Sequence, residues 1–393
     1  MRHFDSVEQL VAELRPGYPV YCLRPHVLRR TAHRFLSLFP GTVLYAVKSN
    51  PLPAVLEMLN RAGIGHFDTA SLSEIALVNE QVRDAHCYFM HPVKDRAAIR
   101  SAFHVYGVRH FVVDHADELA KLGAEIQSKN IIVVVRLATR GGDATFDLST
   151  KFGATQHEAE SLMRSAARAG YRVGICFHVG SQCSSEQTFA HALGTVGEVI
   201  ENAGVTPSCV DVGGGFPAPY PGECLPGLET FMDVIRAGLE KLALPAQCRV
   251  MCEPGRALVA EAMSLVVQVQ LRKGSSLYIN DGIYGSLIAA TIGIRFPLRL
   301  VRPETPETRA HENFTVYGPT CDGLDTLPWQ VSLPGDVREG DFLEFGLVGA
   351  YGNALRTDFN GFRPDTFVTV AADFRAPVDT KQDELTTSAS AGG

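Results

Sequence analysis

Val43-Leu-Tyr-Ala-Val-Lys-Ser-Asn-Pro51 is a short apolar run that ends in a lysine and is cut off by Ser-Asn-Pro. Seven more runs of this kind follow, at residues 65–70, 87–92, 110–114, 131–137, 173–179, 209–213 and 249–255. They are rich in Val, Ile, Phe and Tyr and carry little polar alternation, the pattern of parallel strands covered on both faces. Amphipathic stretches of helix length separate them, at 51–62, 71–79, 95–106, 116–128, 155–170, 185–204 and 228–242. Proline opens the first of these, and Ser71 with Glu74 three residues on predicts a capping box. Eight strands alternating with helices fit a closed (β/α)8 TIM barrel better than an open sheet.

Beyond residue 260 the character changes. Runs at 265–271, 276–281, 314–318, 330–333, 342–345 and 367–371 read as strands between Gly, Pro and Asp turns, with no long helical pattern. The expected organisation is an N-terminal segment (1–24) packing on a β domain, a barrel (25–260), a C-terminal all-β domain (261–376) and a disordered tail (377–393) that ends in Ser, Ala and Gly.

Composition narrows the function classes. The 393 residues carry a net charge of −7, with 46% apolar and 20% charged residues. No basic footprint invites nucleic acid. No apolar run approaches the roughly 18 residues of a membrane span, and the start, Met1-Arg-His-Phe-Asp-Ser, has no apolar leader. A cytoplasmic chain is expected. Its nine cysteines are odd in number and lack a Cys-x-x-Cys pair, so all except Cys321 are expected to be small core hydrophobes. No His/Cys cluster has zinc-ligand spacing, and no metal is expected.

In such a barrel the C-terminal strand ends hold the chemistry. Here they carry Lys48, Asp68, His91, Asp114, Arg136, His178, Gly213–Gly215 and Glu253 to Arg256. Each has a plain reading beside a chemical one. Lys48 is either a rim lysine paired with an acid or a Schiff-base lysine. Asp68 either caps the helix near Ser71 or faces the mouth. His178 is either a satisfied core histidine or a flat ring for a planar cofactor. The glycines make a turn, an anion cradle or both. Glu253 and Arg256, one turn apart, suit a ring nitrogen and a phosphate. Their concentration at one rim favours the chemical readings.

Several motifs in consistent order go further. They are Tyr45-Ala-Val-Lys-Ser-Asn50, Phe67-Asp-Thr-Ala-Ser71, Lys151-Phe-Gly-Ala154, Phe177-His-Val-Gly-Ser181, Asp211-Val-Gly-Gly-Gly-Phe-Pro217, Glu253-Pro-Gly-Arg256, Gly318-Pro-Thr-Cys-Asp-Gly-Leu-Asp325, Gly349-Ala-Tyr351 and Phe359-Asn-Gly-Phe362. Over about residues 20–372 the chain resembles the fold-type III pyridoxal-phosphate (PLP) decarboxylases, and within them the eukaryotic-type ornithine decarboxylase branch. The resemblance implies an alanine-racemase-like barrel plus β domain, and a head-to-tail homodimer with shared active sites. It implies that Lys48 attaches PLP, Asp68 lies beside it, Glu253 pairs with the pyridine nitrogen and His178 stacks on the ring. Ser181, Gly214, Gly215, Gly255, Arg256 and Tyr351 would hold the phosphate end. Cys321 and Asp322 would reach in from the partner, with Cys321 the acid that protonates the product carbon, and Phe359 and Tyr351 would help line the substrate pocket. The implied reaction is decarboxylation of an L-amino acid, with ornithine (to putrescine) or lysine (to cadaverine) the default substrate, as in polyamine synthesis.

The pattern departs from the resemblance in one telling place. Ornithine decarboxylases carry, after the match to Asn280-Asp-Gly-Ile-Tyr-Gly285, an aspartate that grips the distal ammonium. This chain reads Leu287-Ile-Ala-Ala-Thr-Ile-Gly-Ile-Arg-Phe-Pro297, with no acid and one arginine. An unpaired ammonium against apolar residues is costly. Asp322 offers one carboxylate. A non-standard or conjugated amino acid is the alternative substrate, with Arg295 either its anchor or an ordinary surface arginine. Asp147, where some relatives have arginine, is a second departure. A racemase is disfavoured because racemases of this fold use tyrosine at the Cys321 motif. An inactive regulatory homologue is disfavoured because Lys48, Glu253 and Cys321 are all present.

Overall fold

The computed structural model describes residues 1–139, 144–146, 150–302 and 310–375; Asp147 and the 377–393 tail lie outside the described residues. Eight parallel strands close a barrel. They are β1 (Thr42–Ala46), β2 (His66–Thr69), β3 (His86–Phe89), β4 (His110–Val113), β5 (Ile132–Leu137), β6 (Arg172–Phe177), β7 (Cys209–Asp211) and β8 (Arg249–Cys252). They neighbour one another in chain order, and β8 returns to β1 with Met251 opposite Thr42.

The period of two within each strand builds the core. Inward residues Leu44, Tyr88, Met90, Val112, Ile132, Val134, Cys176, Cys209 and Met251 form one buried cluster that fills the barrel. Outward residues such as Phe67, Phe89, Phe111 and Phe177 are at most 2% exposed, beneath the helices. Both faces are therefore apolar, which is why the sequence lacks polar alternation.

The helix ring holds a finding that the alternation alone missed. One barrel helix, Pro25–Leu38, precedes β1 instead of following a strand, and it packs against Pro53–Arg61 and the short Arg256–Val259 helix. Its signals were Pro25 at the start and buried Val27, Leu28, Ala32 and Phe35 at helical spacing. The capping box expected at Ser71 forms by half. Ser71 Oγ accepts the Glu74 N–H at 3.2 Å, but the Glu74 carboxylate takes the Ala70 N–H at 2.7 Å instead of that of Ser71. Thr155 and Glu158 make the complete reciprocal box.

Of the described residues, the second compact unit comprises Met1–Arg24, those between Met263 and Val348, and residues 355–375, while Gly349–Ala354 belongs to the barrel unit. Its spine is the eleven-residue strand Met263–Lys273, which pairs with Val20–Leu23, Ser276–Ile279 and Phe342–Phe345. Thr366–Val370 runs parallel to Val20–Leu23. Phe4, Val20, Val266, Phe342 and Val370 meet in its core. Beside that core Arg24 and Glu344, 1% and 0% exposed, pair at 2.7 Å, and Arg299 adds a second guanidinium to Glu344 at 2.6 Å. A buried carboxylate so enclosed leaves little charge uncompensated. The strand Leu298–Val301 had gone unread, because Arg299 interrupts its apolar run.

All nine cysteines are free. Six are buried, as expected, but Cys224 is exposed and Cys248 half-exposed, so neither is a core residue. Among the described residues no helix is long and apolar enough to cross a membrane.

Candidate active site

Lys48 sits two residues beyond β1, in the 3-10 turn Val47–Ser49. Three contacts fix that turn. Ala46 N–H donates to Pro254 O at 3.1 Å, Tyr351 N–H to Ser49 O at 2.7 Å, and the Asn50 side-chain amide to Gly349 O at 2.9 Å. Gly255 packs so closely that a Cβ there would lie 3.0 Å from Ser49 Cβ and 3.2 Å from Ala46 Cβ. The turn carries the lysine toward β2, where Nζ donates to Asp68 Oδ2 at 3.0 Å. The Lys48 side chain is 43% exposed and that of Asp68 3%. Asp68 therefore faces the mouth and does not cap the following helix.

Three carboxyl groups share this end of the barrel. Glu253 follows β8, and its N–H donates to Gly213 O at 2.8 Å. Asp211 ends β7 and accepts the Gly213 N–H at 2.8 Å. Burial, then the charges of Asp68 and Asp211, push Glu253 well above the usual carboxyl range against the pull of Lys48 and Arg136. Burial likewise pushes Asp211 up to about 7, with the Gly213 N–H working against it. Burial also opposes the Lys48 ammonium, but Asp68, Glu253 and Tyr351 outweigh it and hold the amine above its ordinary range. Among the described residues Glu253 Oε1 and Asp211 Oδ2 are buried without a hydrogen-bond partner of good geometry, although the two carboxyl groups lie close enough to act on each other. Asp211 stands in the sequence only as the first residue of a glycine motif, and the signal that marks it is an acid at a strand end.

His178 follows β6 and accepts the Gly180 N–H on Nδ1 at 3.0 Å, which leaves the neutral ring's proton on Nε2. Burial, with Arg136 and Lys48 nearby, holds its pKa well below the imidazole norm, so the ring is uncharged.

Beside it lies an anion cradle. Arg256 is 6% exposed, with Nη1 donating to Tyr220 Oη at 3.0 Å and Nη2 to Ser181 Oγ at 3.2 Å. Its Nε is buried without a partner, and its carbon lies 5.0 Å from the Tyr351 ring centroid. Gly215 has φ +108°, and a Cβ on Gly214 would come within 2.7 Å of Glu253 O and 3.1 Å of His178 Nε2. Backbone N–H groups beside a buried guanidinium suit a phosphate. Tyr220, which had not been singled out, belongs to this cradle.

Cys321, Asp322 and Phe359 lie in the β unit, and the structure groups them with Tyr284. Tyr284 Oη donates to Asp322 Oδ2 at 2.5 Å, and its ring lies 5.0 Å from that of Phe359. Cys321 is exposed, with its N–H donating to Asn360 Oδ1 at 3.0 Å. Residues Ile288–Ile292 form a 3-10 turn with Ala289 and Ala290 buried. Arg295 is exposed, with its guanidinium carbon 5.8 Å from the Trp329 ring centroid.

A family profile described as the pyridoxal binding domain of the pyridoxal-dependent decarboxylases matches residues 26–260. The chain belongs to this family. The lysine/ornithine decarboxylase of Selenomonas ruminantium is 34% identical over 331 residues, 81% of each chain. Antizyme inhibitor 2 of Xenopus laevis is 32% identical over 84% of this chain and 76% of its own. The arginine decarboxylase of Paramecium bursaria Chlorella virus, solved with agmatine, superposes with a TM-score of 0.82 at 28% identity, covering 93% of this chain and 99% of that one. The barrel mouth fits the family's cofactor. An amine stands beside a carboxylate, Glu253 Oε1 awaits a partner, and the buried Arg256 guanidinium awaits an anion.

Proposed function

We propose that this chain is a PLP-dependent carboxy-lyase that converts an L-amino acid with a basic side chain, ornithine or lysine first, to an amine and CO2. The observation that carries this reading is the Lys48–Asp68 contact at 3.0 Å in one mouth with unpartnered Glu253 Oε1 and Arg256 Nε. PLP, when bound, supplies an electron sink for the pair released as CO2 leaves.

The chain's own residues do the rest. Lys48 Nζ is the amine that would hold the cofactor, and it would be the group to which a substrate or product amine gives place. Asp68 orients Nζ and holds its proton. Glu253, held toward its protonated form while nothing faces it, would meet the ring nitrogen, give that proton to it and stand beside it as the carboxylate. His178, uncharged, would be the side chain that lies against the cofactor ring. Ser181, Gly214, Gly215, Arg256 and Tyr351 grip the phosphate, and Gly255 keeps the Lys48 turn close to that grip. Cys321 of the partner subunit, in a head-to-tail homodimer, delivers the proton to the product carbon. The exposure of Cys321 supports its role as a residue offered to a partner. Asp322 of the partner subunit supplies the carboxylate for the substrate's distal ammonium, with Phe359 and Tyr351 lining the pocket. Nine free cysteines agree with a reducing, cytoplasmic setting.

One observation favours a second substrate. The 287–297 segment has no acid, so Asp322 alone faces a cationic tail, and a non-standard or conjugated amino acid answers that arrangement equally well. The antizyme inhibitor among the relatives raises a non-catalytic reading, which the intact Lys48–Asp68 contact disfavours.

The test is CO2 release from PLP-loaded protein offered L-ornithine, L-lysine, L-arginine, meso-diaminopimelate, L-glutamate and uncharged amino acids. Selective turnover of ornithine or lysine supports the first reading. Silence on every diamino acid, with the cofactor attached, supports the second.

A further inference from the structure

The strands that end in the catalytic mouth begin in another cluster. Counting back along the inward face by twos, Asp68 leads to His66, Met90 to Tyr88 and His86, Val112 to His110, Cys176 to Arg172, and Glu253 to Arg249. The register brings these starts together. His66 pairs with His86, His110 with Ile132, and Ile132 with Arg172, while Arg249 pairs with Cys209.

They surround a cavity of about 540 Å³, lined by His86, Tyr88, Arg109, His110, Arg172 and Arg249 among others. That volume lies within the range of small-molecule sites, about 300–1,000 Å³. Its floor residues Tyr88 and Ile132 belong to the packed barrel interior, which separates it from the catalytic mouth.

The cluster is unbalanced in charge. Among the described residues no Asp or Glu lines the cavity. Among the described residues Arg172 and Arg249 ion-pair with no carboxylate, and Arg109 is spent on the carbonyls of Phe103 and Val108. His66 Nδ1 engages Tyr88 Oη at 3.0 Å, and its ring stacks on His86 at 4.8 Å. His110 is 8% exposed, and its Nε2, at the cavity wall, has no partner. Burial, then Arg249 and Arg172, push His110 down to about 3. Burial, then His86 and Arg249, push His66 down to about 4. Two exposed guanidinium groups and a buried imidazole nitrogen therefore meet at one cavity whose lining carries no carboxylate among the described residues.

We propose that the pocket at the N-terminal end of the barrel binds a small molecule bearing a phosphate dianion, held by Arg172 and Arg249 with His110 at its inner edge. Two guanidinium forks and an imidazole match the geometry of phosphate oxygens. The occupant acts outside the reaction, because the filled barrel separates it from Lys48.

The test titrates inorganic pyrophosphate into the holoenzyme, whose own phosphate cradle is filled, in phosphate-free buffer by calorimetry. One saturable site per chain is expected. Its Kd should rise at least about tenfold in Arg172→Gln and in Arg249→Gln, as the loss of a charge-assisted contact demands. Both arginines are exposed, so the variants should keep their cofactor absorbance and their turnover without pyrophosphate. His110→Gln, which retains a donor at the inner edge, should weaken binding less than either arginine variant. Absence of saturable binding up to about 10 mM pyrophosphate, or equal affinity in wild type and both arginine variants, would overturn the proposal.

Discussion

Replacing Arg256 by methionine should separate two quantities that usually move together, cofactor affinity and the stability of the protein without cofactor. The guanidinium is 6% exposed and has two neutral acceptors, Tyr220 Oη at 3.0 Å and Ser181 Oγ at 3.2 Å, with a third donor unpaired. In the absence of an anion, losing those two bonds costs about 1 kcal/mol each. Removing a buried charge that makes no direct ion pair among the described residues, with Glu223 acting on it only from a distance, returns a comparable amount, and methionine packs against the Tyr351 and Tyr220 rings that now flank the arginine. The stability of the cofactor-free protein should therefore change by less than about 1 kcal/mol in either direction. With the phosphate in place the balance reverses. Two charge-assisted bonds are worth about 1.5–3 kcal/mol each, so their loss raises the Kd for PLP by about 100- to 20,000-fold. Urea denaturation of the cofactor-free protein and equilibrium dialysis against PLP measure the two separately. An Arg256→Met protein that binds PLP within about threefold of wild type, or one whose cofactor-free stability falls by several kcal/mol, would refute the reasoning.

Three further outcomes are expected. Gly214→Ala places a Cβ 2.7 Å from Glu253 O and should weaken PLP binding at least about tenfold, read by titration of the cofactor absorbance; unchanged affinity would remove Gly214 from the cradle. Burial raises Asp211 in the folded state, so the cofactor-free fold binds a proton that the unfolded chain releases. Its contribution is fully present below about pH 4 and fades as the pH rises toward about 7, and Asp211→Asn should flatten that part of the pH profile of urea midpoints; a profile unchanged by the substitution contradicts the assignment. Cys321→Ala should keep the cofactor and lower turnover by at least about tenfold, with part of the product diverted, as loss of a positioned acid requires. Wild-type turnover with a clean amine product would take Cys321 out of the reaction.

Much of the barrel was legible because its strands are buried on both faces and its helices carry 3.6-residue spacing, two signals that survive without tertiary context. The Pro25–Leu38 helix was not read because the pattern was counted from the first strand onward, whereas a closed ring has no first member. In the β unit, Val20–Leu23 and Thr366–Val370 find each other across more than three hundred residues, a pairing that no local pattern encodes. The site divides in the same way. Lys48, Asp68, His178, Glu253 and Arg256 stand at strand ends, where a barrel exposes them, and so could be picked out one at a time. Asp211 and Tyr220 were missed because their importance lies in neighbours brought close by folding, Gly213 and Glu253 for one and Arg256 for the other. The His/Arg cluster went unnoticed because attention stayed on the strand ends, while each of these residues lies at a strand start.

The most direct test of the central claim is borohydride reduction of the PLP-loaded protein followed by peptide mapping. The account predicts a single phosphopyridoxyl group on Lys48, in the peptide containing Tyr45-Ala-Val-Lys-Ser-Asn50, and none in Lys48→Ala. A reduced adduct on another lysine, or one that persists in Lys48→Ala, would contradict it.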